Sequence, residues 1–438
     1  MVRGAAIPRW FGWLVVLVLV SGFGAPPPGV TVLDVILFGT GVYDGAAAVV
    51  ADGDGWFVGG ASSGAMAGEP ALGDLLGFAQ AFGADGAVRW SAIAANTGLD
   101  VVEAVGWSAG ARWVAGVTWG TLPGQVPGGP NDATAVSRDG FVMRLDEAGE
   151  VVCLRQFGSD VRDDLHDLAV LPDGGAFVVG ATYGRLLGAP SLGGRDAYAV
   201  RFDADCAPVW VRQFGGPGDD AARAVAVRDG VLAIAGIVRP GVPFGAVIAE
   251  EGPFASVWTL DGDIVWGARV GGPGVGVATG VAIDPDTGDL FVGGWTDGEV
   301  AAGASLGDRD GFVARVAGAG QVVWARHVGT PNSDGVNALA LLPDGSVTVA
   351  GDTYGALVAG AHAGDMDAFA VGFSAGGEPR WAWQGGGVGY DGADGIAADG
   401  EGRVAVVGYV RDGLGSVPSL GGVEPFDALL VVLQPPAF

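Results

Sequence analysis

Six aspartates recur along this 438-residue chain at near-constant spacing: Asp44, Asp100, Asp163, Asp219, Asp334 and Asp391. Carboxylates gathered by such a repeat would supply hard oxygen ligands, the chemistry that holds Ca²⁺. Gly60-Ala-Ser-Ser-Gly64 has the G-x-S-x-G form of a nucleophile elbow. Asp284-Pro-Asp-Thr-Gly-Asp289 and Asp52-Gly-Asp-Gly55 have the Asp/Gly content of calcium-loop fragments. A fourth set shares one repeat position: Ser63, Trp119, Tyr183, Arg239, Asp297, Tyr354 and Arg411. Rings mixed with polar groups at a loop entrance could form a sugar-stacking or protein-binding patch.

Each of these competes with a role in the fold. A residue repeated in six of seven copies is what a structural requirement produces, so the aspartates read first as turn caps that accept nearby backbone N–H groups. The elbow position holds Thr in Gly116 to Gly120, Gly180 to Gly184 and Gly351 to Gly355. An elbow also needs a strand-to-helix turn and a paired His, and His166, His327 and His362 fall in copies that do not neighbour the first. The calcium-like stretches occupy hairpin turns and lack the downstream Glu of an EF-hand. Rings after the second strand would also cover the edge of the next repeat.

The elements that position these residues follow from self-comparison. With Gly276 in the place of the marker Asp, repeats start near 44, 100, 163, 219, 276, 334 and 391, at spacings of 56, 63, 56, 57, 58 and 57. The long spacing comes from an inserted loop, Thr121 to Ser137. Ten residues after the marker comes a turn such as Asp54-Gly55, Asp173-Gly174 or Asp344-Gly345 between short apolar runs, a hairpin signal. A longer loop and a second hairpin follow, giving four strands, a to d, per copy. Such a sheet buries both faces only by packing on its neighbours. The spacing therefore predicts an all-β, closed seven-bladed β-propeller of four antiparallel strands per blade. The seventh copy stops after strand c, Phe426 to Leu433, and the orphan strand Thr31 to Phe38 would complete that last blade. Small residues on strand a, such as Ala169, Ala340 and Ala397, fit a narrow axis, and no dense set of polar axial residues is expected. The long b–c loops and the d–a connections share one face, the candidate binding surface. Divergent loops single out the insertion of copy 2 and the stretch around Glu250 and Glu251 in copy 4.

A net charge of −27, with no lysine, argues against a nucleic-acid partner and favours cations or basic partners. Arg3 and Arg9 precede an apolar run from Trp10 to Val20, read as a signal peptide over 1–24, with 25–30 a Pro/Gly-rich linker and 31–438 the propeller. The run is too short for a stable membrane span, and Phe23 stands where a lipoprotein cysteine would be. Cys153 replaces the Trp of strand d and Cys206 the hairpin Gly, on the same face of adjacent blades. A disulfide between them fits an oxidising compartment.

The pattern Gly-Gly-x-Asp-Ala-aromatic, Asp-x-x-Gly, Trp, Phe-Gly-Gly, Asp and a strand ending Gly-x-Thr resembles the SBBP-type β-propeller repeat of bacterial secreted and surface proteins. The copies at 163, 334 and 219 to 236 carry it most fully. The resemblance implies an extracellular or cell-surface propeller. The expectation is a non-catalytic, monomeric scaffold of the envelope or matrix, binding a protein or polysaccharide through its long-loop face, with no cofactor beyond possible Ca²⁺. The alternative is a catalytic propeller with an axial site, a quinoprotein-like oxidoreductase or another hydrolase or lyase. The Asp-x-x-Gly-x-x-x-Trp hairpin also resembles the tryptophan-docking repeat of quinoprotein dehydrogenases, although their adjacent cysteine pair is absent. Convergent titratable groups on the axis would favour catalysis; a lining of small residues and backbone would favour the scaffold.

Overall fold

The computed structural model describes residues 30–40, 42–53, 55–64, 75–93, 99–108, 110–127, 138–241, 243–245, 248–300, 305–414, 417–420 and 426–436. They form seven four-stranded antiparallel sheets, with two short 3₁₀ turns as the only helical pieces among them. The innermost strands a are Asp44–Asp52, Asp100–Ser108, Asp163–Val170, Ala221–Arg228, Gly276–Ile283, Asp334–Leu341 and Gly392–Ala398. Each contacts the next and the seventh contacts the first, so the ring is closed. Thr31–Phe38 lies antiparallel to Phe426–Gln434, pairing Val35 with Val431, and supplies strand d of the last blade as its sequence predicts. The protein is a seven-bladed β-propeller. The expected leader with Phe23, the linker up to Gly29, Asp54 and 128–137 of the inserted loop lie outside the described residues.

The middle strands are buried on both faces, which is why they read as unbroken apolar runs. Ala176–Thr182 is buried throughout. Its Val178 packs toward Trp113 of blade 2, while Phe177 and Val179 pack toward Leu232 and Ile234 of blade 4. Full burial of each such side chain contributes about 1.5–3 kcal/mol, so every blade interface is a core in its own right.

The marker aspartates other than Asp219 are buried rather than lining the channel mouth. Four of them accept the N–H of the residue four positions earlier: Thr40 for Asp44 at 2.7 Å, Ser159 for Asp163 at 2.5 Å, Thr330 for Asp334 at 2.6 Å and Gly387 for Asp391 at 2.6 Å. In the fourth copy this role falls to Asp220, not Asp219. Asp220 takes Gly216 N–H at 2.7 Å and Arg239 N–H at 2.6 Å, whereas exposed Asp219 accepts Arg195 N–H at 3.0 Å. Two adjacent aspartates made the positions interchangeable in sequence, and only the reach of the carboxylate separates them.

On the short-hairpin face, strand d of one blade meets the c–d hairpin of the next. Trp210 and Trp324 each donate an indole N–H, at 3.0 Å, to Leu260 and Ala375 carbonyls in the following hairpin. The hairpin glycine lies against the ring, and a Cβ added at Gly377 would come within 2.6 Å of Trp324. Cys153 and Cys206 occupy this same contact between blades 2 and 3 and are joined by a disulfide, with Cα atoms 5.9 Å apart. The tryptophans therefore serve inter-blade packing.

Candidate functional site

Every strand a is broken by a β-bulge at the third residue after the marker. A bulge leaves one residue out of the ladder and re-aims its side chain. The bulge depends on the glycine that opens Gly-x-Thr on strand b: a Cβ at Gly180 would lie 1.9 Å from the Asp164 carbonyl oxygen, and one at Gly351 would lie 1.8 Å from that of Gly335. The bulged residues are Ala47, Glu103, His166, Arg223, Thr279, Asn337 and Asp394, each half-buried although the residue before it is buried. Six of the seven are polar. This overturns the expectation of an axis free of dense polar groups, which followed from reading Ala169, Ala340 and Ala397 as representative of strand a.

The ring is polarised. In blades 2 to 4, Arg138, Arg162 and Arg195 converge on the buried carboxylate of Asp164. Arg138 donates through Nε at 2.6 Å and also contacts it through Nη2, Arg162 donates through Nε at 2.9 Å, and Arg195 through Nη2 at 2.9 Å. Burial pushes Asp164 up, but these guanidiniums outweigh it and hold the carboxyl below its usual range. Arg195 Nη2 and Arg223 Nη1 lie 3.2 and 3.5 Å from the two ring nitrogens of His166. Burial and then the adjacent Arg223 and Arg195 charges keep that imidazole far below its ordinary value, hence neutral. Asp167 locks the arrangement by accepting Val225 N–H from strand a of blade 4 at 2.8 Å.

Across the ring, Asp394 of blade 7 is pushed up to about 7 by burial and by the carboxylates of Asp352 and Glu103. Glu103 is also raised to about 7, chiefly by burial. Asn337 donates to Asp352 at 2.8 Å and to the Ala393 carbonyl at 3.1 Å, tying blade 6 to blade 7. Thr279 donates to the Val336 carbonyl at 2.7 Å. Tyr409, opposite Gly392 on the adjacent strand, and Tyr43 wall this side, and both phenols are raised first by burial and next by Asp394. Among the described residues no three Asp, Glu, His or Cys side chains are placed to hold a metal ion.

The residues singled out after strand b divide. Tyr183 and Tyr354 are 47% and 38% exposed on the long-loop face, and half-buried Trp119 packs on the core between blades 2 and 3. Arg138 stacks over Trp119 at 4.8 Å and Arg195 over Tyr183 at 5.9 Å, so these two rings join the arginine cluster. The others serve the frame. Ser63 donates to the Tyr43 carbonyl at 3.1 Å, and Arg239 pairs with Glu251. Asp297 accepts Val275 N–H at 2.6 Å, and Arg411 gives its N–H to Asp391 at 2.7 Å. Ser62, the elbow residue, is buried and accepts Gly64 N–H at 3.1 Å. Asp284 accepts Asp286 N–H at 2.9 Å, as a turn residue does. Sequence reasoning passed over the bulge ring, although its signal was present as the most variable column of strand a. Placing the fourth marker at Asp219 put Ala222 in that column instead of Arg223.

No family model matches the chain, and no curated protein matches it. Solved structures do. The chain is similar to the Pan2 WD40 domain of Neurospora crassa, with 9% identity, 93% of this chain and 96% of that one covered, and a TM-score of 0.47. It is also similar to Chaetomium thermophilum Sqt1 bound to the N-terminus of ribosomal protein L10, with 12% identity, 91% and 98% covered, and a TM-score of 0.46. A third is YCF48 bound to D1 peptide, with 11% identity, 95% and 97% covered, and a TM-score of 0.47. At such identities the likeness concerns the fold. Among the described residues no helix is long and apolar enough to cross a membrane.

Proposed function

We propose that this propeller is a non-catalytic binding module of a bacterial envelope or extracellular matrix, of the SBBP repeat type, and that it takes a protein or polysaccharide partner on its long-loop face. The observation that carries this reading is the cluster of Arg138, Arg162 and Arg195 around one carboxylate, with Trp119 and Tyr183 beneath two of the guanidiniums. Three cations on one anion leave an excess positive charge at this edge of a chain whose net charge is −27. Acidic groups of a partner chain would complete it through bidentate contacts, while the rings supply apolar area. Exposed Tyr43, Val161, Leu192, Tyr354 and Tyr390 extend the same face. The disulfide is consistent with an oxidising, extracellular setting.

The test is an array of acidic polysaccharides and envelope proteins probed with the wild-type protein and with a variant in which Trp119, Tyr183 and Tyr354 are all replaced by Ala. Loss of binding with an unchanged circular dichroism spectrum is expected; retained binding would place the partner elsewhere. A second reading, axial catalysis, is favoured by Glu103 and Asp394, whose values of about 7 suit proton transfer. Turnover of glycoside or ester substrates that vanishes in Glu103→Gln would replace the binding reading with that one. N-terminal sequencing of protein from the native host tests the leader, and a chain that still begins at Met1 would contradict it.

A further inference from the structure

The rim cluster leaves the lumen itself unexplained, and the lumen holds charges of both signs without counter-ions. Arg223 makes no ion pair among the described residues; its one polar contact there is the neutral His166 ring. The Nε atoms of Arg223 and Arg195 are buried with no hydrogen-bond partner among the described residues. Burial, followed by the neighbouring Arg195 charge, depresses Arg223, the condition of a cation still lacking an anion.

The acidic groups stand in blade 7, Asp394, and in blade 2, Glu103. Asp394 and Glu103 make no hydrogen bond or ion pair among the described residues, and both are half-buried on the lumen. Glu103, Arg223 and Asp394 occupy the same bulge position on innermost strands of the closed ring, so all three line the axis. Even so, no ion pair links Arg223 to either carboxylate. A gap therefore separates the poles, Arg223 in blade 4 and Asp394 in blade 7, which stand across the ring from one another. The acidic pole is flanked by the rings of Tyr43 and Tyr409, which pack on Phe426 at 5.9 and 5.7 Å. Aromatic walls beside a carboxylate suit an ammonium group.

We infer that the axial lumen binds a small zwitterion, a molecule bearing one carboxylate and one ammonium group as amino acids do, with its carboxylate on Arg223 and Arg195 and its ammonium on Asp394 and Glu103. A simple anion or a simple cation would satisfy one pole and leave the other unpaired; one molecule carrying both charges satisfies the two together. This site shares Arg195 with the rim cluster, but Arg223 and Asp394 lie outside that cluster, so Arg223→Met and Asp394→Asn test this reading while the replacement of Trp119, Tyr183 and Tyr354 tests the other.

The test is calorimetric and thermal-shift titration of the purified protein with glycine, 4-aminobutyrate and 6-aminohexanoate, against acetate and methylammonium at matched ionic strength. One of the amino acids is expected to bind and to raise Tm, the preferred chain length reporting the distance between the poles. The two single-charge ions are expected to bind at least about tenfold more weakly, the loss of one charged contact. Arg223→Met and Asp394→Asn, each first shown to keep the wild-type circular dichroism spectrum, are expected to weaken the preferred ligand by a similar factor. The proposal is overturned if acetate alone binds as tightly as every amino acid, if none of the probes binds, or if both variants bind like wild type.

Discussion

On the short-hairpin face, Trp210 and Trp324 meet the next blade through the same indole-to-carbonyl bond. Around the axis, seven equivalent bulges carry seven different residues: Ala47, Glu103, His166, Arg223, Thr279, Asn337 and Asp394. The two regions are built by one repeat under opposite constraints. A rim side chain fills a slot between two blades, so its volume and its donor are fixed by packing. A bulge side chain leaves the ladder toward the lumen, and the glycine opposite already provides the space the backbone needs. The bulge forms whatever residue occupies it; Thr279 and Asn337 use it to bond the next blade, while the charged residues leave it open to chemistry. Where Cys153–Cys206 takes the place of the Trp and Gly pair, it exchanges one inter-blade staple for another.

That contrast can be broken at either end. The largest loss of stability is expected on removing the rim disulfide. It closes a loop with a sequence separation of 53, for which chain entropy gives about 4 kcal/mol. Urea unfolding of Cys153→Ser with Cys206→Ser should show a loss of that size, and an unchanged midpoint would mean that packing alone holds blades 2 and 3 together. Asp334→Ala should follow, at about 3 kcal/mol, because it strands the Thr330 amide and the Thr330 and Thr353 hydroxyls in a buried turn. Asp219→Ala is expected to cost well under about 1 kcal/mol, as an exposed site does. If the two aspartates cost the same, the assignment of Asp220 as the fourth marker would be wrong.

The axial residues should register through pH rather than through loss of structure. Glu103 and Asp394 stand at about 7 in the folded protein against roughly 4 for free carboxyls. Between those values the folded state holds protons that the unfolded state releases, so their contribution to stability rises as pH falls from about 7 toward 4. Asp164, held below the usual range, works in the opposite sense and at lower pH. Melting curves from pH 8 to 5 should therefore be flatter for Glu103→Gln than for wild type, and parallel curves would count against a buried, unpaired Glu103. The smallest effect, no change in Tm, is expected from calcium chelation, since the marker carboxylates are taken up by backbone donors; a marked fall would restore the cation reading.

Much of this frame was legible in the chain. Apolar runs bounded by Asp-Gly turns at a constant period identify blades, and the leftover strand Thr31–Phe38 identifies closure, because both follow from short-range rules acting on repeated residues. The Cys153–Cys206 bridge was legible for the same reason, since both cysteines replace residues, the strand d Trp and the hairpin Gly, that meet at four other blade interfaces. The site was less so. Tyr183 and Trp119 stood out as divergent aromatics, but the arginines stacked on them stand at the far ends of the same b–c loops, Arg138 and Arg195 just before strand c, and no local pattern brings them to Asp164. The bulges were hidden because a bulge adds a residue without altering composition. Its sign was the required glycine across the ladder, which reads equally well as ordinary turn chemistry.

The central claim is that repeating residues hold the fold while the charged axial residues Glu103 and Asp394 do not. It is tested most directly by the unfolding free energy of the double variant Glu103→Gln, Asp394→Asn at pH 7. Neutralising two buried carboxylates that have no partner should leave stability at or above the wild-type value. A loss as large as that of Asp334→Ala would show that the axial ring is part of the frame and contradict the account.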